Sequence, residues 1–153
     1  MQRRTVVLVA LGAAALVAAA VGWVYFAPAG EQHVAEDVAQ GEVLARGNFT
    51  GADSLHEVSG SVALVATEGG HVLRFEGYDA TSGPDVYYFL STGAYSDDAV
   101  KVPVPGGRDG QATKRGTFDV PVPAGIDAPE YESVLVWCER FGVLFGSAPL
   151  GTS

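Results

Sequence analysis

From about residue 43 onward, apolar and polar residues alternate in short runs with a period near 2, and turn residues punctuate the runs. Runs rich in Val, Tyr, Phe and Leu predict strands at 43–50, 58–66, 72–76, 86–91, 117–120, 134–138 and 141–145, with Gly69-Gly70 as a hairpin turn. No helical period intervenes. Strands this close, with no helix to cross between parallel neighbours, imply an all-β fold, an antiparallel β-sandwich or a related barrel. The densest apolar run is 133–150, where Val134, Val136 and Cys138 share one strand face while Leu135 and Trp137 share the other. Both faces therefore read as buried and the strand as central. Glu139 and Arg140 interrupt the run, Phe141, Val143 and Phe145 resume it, and Gly142 and Gly146 mark a bend or a close backbone approach. The stretch 94–116 is the least patterned and reads as an exposed excursion.

The first residues follow a different rule. Positions 5–26 carry no charge over 22 residues, about 33 Å of helix at 1.5 Å per residue, enough for a ~30 Å hydrocarbon core. Arg3 and Arg4 precede this run and Glu31, Glu36 and Asp37 follow it, an asymmetry that leaves residues 1–4 in the cytoplasm and the rest on the extracytoplasmic side of the cell membrane. Trp23, Tyr25 and Phe26 lie where an aromatic belt would sit. Ala27-Pro28-Ala29 has the form of a signal-peptidase site, and Arg3-Arg4-Thr5-Val6-Val7 resembles a twin-arginine export signal. All three readings export the domain. The expected organisation is a cytoplasmic start at 1–4, a single transmembrane signal-anchor helix at 5–26, an acidic tether at 27–42 and one β domain at 43–150.

Charge narrows the partners. With Arg3 and Arg4 set aside, seven Lys or Arg stand against 18 Asp or Glu, a net of −11. Such a surface repels phosphate backbones, which disfavours nucleic acid and leaves the membrane, through the N-terminal helix, as the expected partner. No Gly-x-Ser-x-Gly, no His-Asp-Ser set and no phosphate-cradling loop occurs in the sequence, so hydrolase and nucleotide chemistry have no support and the chain reads as a non-enzyme.

Three segments in order resemble the DM13 domain family. They are Gly47-Asn48-Phe49 with His56-Glu57-Val58-Ser59-Gly60-Ser61-Val62; Leu73-Arg74-Phe75-Glu76-Gly77-Tyr78-Asp79 followed by Gly83-Pro84-Asp85-Val86-Tyr87; and Val136-Trp137-Cys138-Glu139-Arg140-Phe141 with Phe145-Gly146. The resemblance implies a β-sandwich and an electron-transfer module centred on Cys138, as a bare thiol or as ligand to a group such as haem, with a redox partner protein or envelope component as its partner. Trp137, Arg140, Asp79, Pro84 and Asp85 are the supporting positions within the matching motifs. The excursion 94–116 departs from the family pattern, and no role is carried over to it.

For Cys138 three readings stay open. A lone cysteine in an apolar strand packs as a small hydrophobe, yet an exported chain with one cysteine has no internal disulfide to form, so an unpaired thiol outside the cell is buried, used, or bridged to another chain. Arg140, two residues on, is the nearest cation in sequence able to favour a thiolate. A haem reading draws on His56 and His71 as further ligands, and no Cys-x-x-Cys-His offers covalent attachment. No pair of histidines has zinc-ligand spacing, and the oxygen-rich stretch 76–85 lacks the alternating ligands of a calcium loop, so no metal site is expected.

Overall fold

Strand β1 (Glu42–Asn48) pairs antiparallel with β3 (Val58–Thr67), then Phe49 turns into the core and β2 (Thr50–Gly51) pairs with β9 (Val143–Pro149) in a different sheet. The run expected as one strand over 43–50 is therefore two, split by an aromatic side chain that inserts between the layers and makes a sandwich corner. The structure is a computed structural model and describes residues 39–93, 98–112 and 115–152. The predicted membrane segment 5–26, the export-signal readings and most of the tether lie outside these. Among the described residues no helix is long and apolar enough to cross a membrane.

The remaining strands are β4 (Gly70–Ala80), β5 (Val86–Ser91), β6 (Val100–Val102), β7 (Gly116–Pro121), β8 (Ser133–Cys138) and β10 (Gly151–Thr152). They form two five-stranded sheets, in the orders β10-β1-β3-β4-β7 and β2-β9-β8-β5-β6, with every pair antiparallel. The all-β antiparallel architecture expected from the alternation is what the chain adopts. Leu73 and Phe75 of β4 and Phe118 and Val120 of β7 face Tyr88 and Leu90 of β5 and Val134, Val136 and Cys138 of β8, all fully or nearly fully buried. Phe75 joins the layers: its ring stacks on Phe118 at 4.9 Å and lies 4.5 Å from Tyr88 and 5.2 Å from Tyr78.

Four local expectations are corrected. The excursion 94–116 contains β6, which pairs with β5 and buries Val102, and Val104 follows it into the core; three residues ended by Pro103 were too short to show a period. Phe141 belongs to no strand: the chain turns at 139–142 with Gly142 at φ 61, β9 starts at Val143, and Phe141 stays 66% exposed. Trp137 is half-buried on the outer face of the second sheet, opposite Tyr87 and Leu144, so only Leu135 fills that face as a buried residue would. The β3–β4 hairpin turns at Glu68-Gly69, one residue earlier than expected, with Thr67 pairing Gly70 and donating from Oγ1 to its carbonyl at 3.0 Å.

Ala39, ahead of β1, is held on the first sheet. Arg74 Nε and Nη2 donate to the two carboxylate oxygens of Asp119 at 3.0 and 3.1 Å, and this fork also engages the Ala39 peptide, whose N–H donates to Asp119 Oδ2 at 2.8 Å and whose carbonyl accepts from Arg74. The carboxylate holds the Arg74 charge more firmly than in water. Gly41 follows with its Cα against Ala66, where an added Cβ would lie 2.1 Å from the carbonyl oxygen.

Two measurements check this packing. Phe75→Ala should cost about 3–5 kcal/mol in urea unfolding because the cavity lies between two sheets, whereas Trp137→Ala should cost only about 1–2 kcal/mol, since that side chain lies partly exposed on an outer face; equal costs would contradict the assignment of faces. The hydroxyls of Tyr78 and Tyr88 are buried with no partner beyond each other among the described residues, and burial pushes Tyr78 up to about 12 and Tyr88 further in the same direction. An unfolded tyrosine ionises near pH ~10, so above that pH the unfolded chain holds fewer protons than the native one. Stability intact below pH ~10 is then lost as pH rises toward ~12. The urea midpoint should fall over that window, and less steeply in Tyr78→Phe.

Candidate functional site

Cys138 closes β8, with Val86 of β5 as its register partner on one side and Val143 of β9 on the other. The inward face of β8 carries Val134, Val136 and Cys138, so the sulfur points into the core and has no exposed surface. It is a free thiol. Its S–H donates to the carbonyl of Pro84 at 2.8 Å, a bond that requires the proton to be on sulfur.

That carbonyl is aimed by the turn leading into β5. Asp85 adopts a left-handed backbone at φ 55, a conformation Asp tolerates better than most residues. The Asp85 carbonyl accepts from the Glu139 N–H at 3.0 Å, its Oδ1 accepts from Gln111 Nε2 at 3.2 Å, and the Ala112 N–H reaches the Val86 carbonyl at 2.8 Å. The turn is thus pinned by β8 on one side and by the loop after β6 on the other. Gly83 is required there, because a Cβ would stand 2.6 Å from Phe145 Cζ and 3.1 Å from Val86. A short lid of Gly83, Pro84 and Asp85 covers the thiol.

The supporting residues divide between this lid and its surroundings. Arg140 is not on the strand face of Cys138; it lies in the turn, 63% exposed, with Nε 3.8 Å from Asp85 Oδ2, so its charge is directed to the lid. Glu139 pairs with Lys101, whose ammonium sits 3.8 Å above the Tyr87 ring on the outer face beside Trp137. Asp79 pairs with Arg115 at 3.1 Å, one strand end away. His56 lies at the same end of the sandwich, its Nδ1 2.9 Å from Asp53 and its ring 4.6 Å from that of Phe145. The His56 ring and the Leu55 N–H hold the Asp53 carboxyl below the usual carboxylate range. His71 is at the opposite end, in the first turn of β4 after the hairpin, roughly 30 Å of strand from Ala80 where the chain enters the lid.

Haem does not fit here. The sulfur is enclosed and committed to Pro84, the histidines occupy different ends, and Phe145 stands between His56 and the lid. A groove of about 600 Å³ at this end is lined by Asp53, Glu57, Asp79 and Arg115 among others, and not by Cys138. Among the described residues no three His, Cys, Asp or Glu side chains are placed to hold a metal ion. Gly83 and Phe145 stood in the matching motifs with no role assigned to either, and Gln111 lay in the stretch with no pattern.

A family model described as "Electron transfer DM13" matches residues 48–150. No curated protein and no solved structure matches the chain.

The enclosure sets the reactivity of the thiol. In the folded protein at neutral pH, Cys138 should resist iodoacetamide, and Asp85→Ala, which removes the Gln111 bond and puts alanine at a strained φ, should speed alkylation at least about tenfold. Mass spectrometry of timed aliquots reads both; a native thiol alkylated as fast as in denaturant would contradict the enclosure.

Proposed function

This chain belongs to the DM13 family, and we propose that it is an electron-transfer domain whose redox-active group is the Cys138 thiol used bare, held at the outer side of the cell membrane by residues 5–26. The observation that carries this reading is the family match over 48–150, within which Cys138 is the only cysteine. In this reading a one-electron carrier withdraws an electron from sulfur as the S–H proton passes to solvent at the lid, and the reverse transfer restores the thiol. Burial among Val86, Val136 and Val143 slows side reactions of the sulfur with solvent oxidants. The lid is a single turn thick, so the covering that protects the sulfur is also the shortest way in.

A second reading, a non-catalytic envelope or matrix binding module in which Cys138 only packs, is favoured by the complete burial of the sulfur. One experiment separates them. Film voltammetry of the full chain should show a wave that disappears in Cys138→Ser while thermal unfolding of that variant stays cooperative. A flat response from both chains would overturn the redox reading and leave the binding module.

A further inference from the structure

Leu55, 75% exposed, and Phe141, 66% exposed, are the two large hydrophobic side chains that stand out from the surface among the described residues. They occupy the tips of adjacent loops. β2 pairs with β9, and the Ala52 N–H continues that pairing to the Phe145 carbonyl at 2.8 Å, so the loop 52–57 leaves the sheet beside the turn 139–142 that joins β8 to β9. Neighbouring strands are about 4.8 Å apart, which puts the bases of the two loops side by side. Both loops are held: His56 lies on Asp53 and on the Phe145 ring, and Glu139 is bonded to Asp85 and Lys101. The lid over Cys138 comes next in the row, with Gly83 against Phe145 and Pro84 exposed.

Charge complementarity selects the occupant. Around these apolar tips stand the carboxylates of Asp53, Glu57, Asp79, Asp85 and Glu139, while the cations of this end, Lys101, Arg115 and Arg140, are each directed to one of those acids. An apolar centre inside an acidic rim is the complement of an apolar centre inside a basic one. A lipid surface is disfavoured, because anionic headgroups repel the rim and neutral ones would have to desolvate it.

We propose that Leu55, Phe141 and Pro84 are the apolar centre of a docking surface for a cationic electron-carrier protein, which binds directly over the lid of Cys138. The proposal deepens the redox reading and names the class of partner that reading needs. It also accounts for two exposed hydrophobic side chains on otherwise rigid loops.

The test uses the full chain in phosphatidylcholine nanodiscs with cytochrome c, a small protein whose haem edge is ringed by lysines, as the probe. Calorimetric titration at low ionic strength should show binding that weakens with added salt, and hydrogen exchange should slow at 52–57 and 139–142. The double variant Leu55→Ser with Phe141→Ser leaves every charge in place and should keep the parent thermal midpoint, yet bind at least about tenfold more weakly. Binding by the double variant as tight as by the parent, absence of binding, or protection of the two loops by the nanodisc before cytochrome is added would each overturn the proposal, the last in favour of a lipid occupant. Cys138→Ser should bind like the parent, so docking is read independently of whether the thiol exchanges electrons.

Discussion

The hydrogen bond from Cys138 to the Pro84 carbonyl joins the end of a central strand to the turn that covers it, and the arrangement of this end of the sandwich depends on it. For the carbonyl to point at sulfur, Asp85 takes a left-handed backbone and Gly83 passes the Phe145 ring without a side chain. The strain at Asp85 is offset by bonds from Glu139 and Gln111. Sequence-distant parts, the lid, the β8–β9 turn and the loop after β6, thereby become one unit around a single thiol.

The rest of the fold keeps that unit rigid. The second sheet carries Cys138 on its middle strand with β9 and β5 on either side, so the sulfur moves only if the sheet does. The aromatic cluster centred on Phe75 ties this sheet to the first one, and the Arg74–Asp119 fork fastens Ala39 to the far layer. Ala39 and the thiol are therefore held by different sheets.

Alternation revealed the architecture because inward and outward positions differ in polarity along β3, β4, β5 and β8, and the physical cause of that pattern is burial of one face. It failed where the cause was different. Phe141 is apolar but stands at a turn tip, and Trp137 is apolar but lies on an outer face shared with Lys101, so hydrophobicity alone placed both too deep. β6 was missed because three residues carry no period, and Gln111 because a hydrogen bond to a residue 26 positions away leaves no local trace. At the candidate site, the motif holding Cys138 and the Gly-Pro-Asp turn were legible as separate segments. Their contact was not, since nothing in either segment states that Val86 and Cys138 share a register. The cation expected to activate the thiol is nearby in sequence but turned toward Asp85, a choice made by the β8–β9 turn and not by the strand.

The most direct test is the infrared S–H stretching band of the native full chain, which belongs to one residue because the chain has one cysteine. A thiol donating to the Pro84 carbonyl predicts a band shifted to lower frequency than that of a free thiol, absent in Cys138→Ser and relaxed toward the free position in Asp85→Ala. A band at the free-thiol frequency in the native protein, or no S–H band at neutral pH, would contradict the enclosed, hydrogen-bonded thiol around which this end of the sandwich is built.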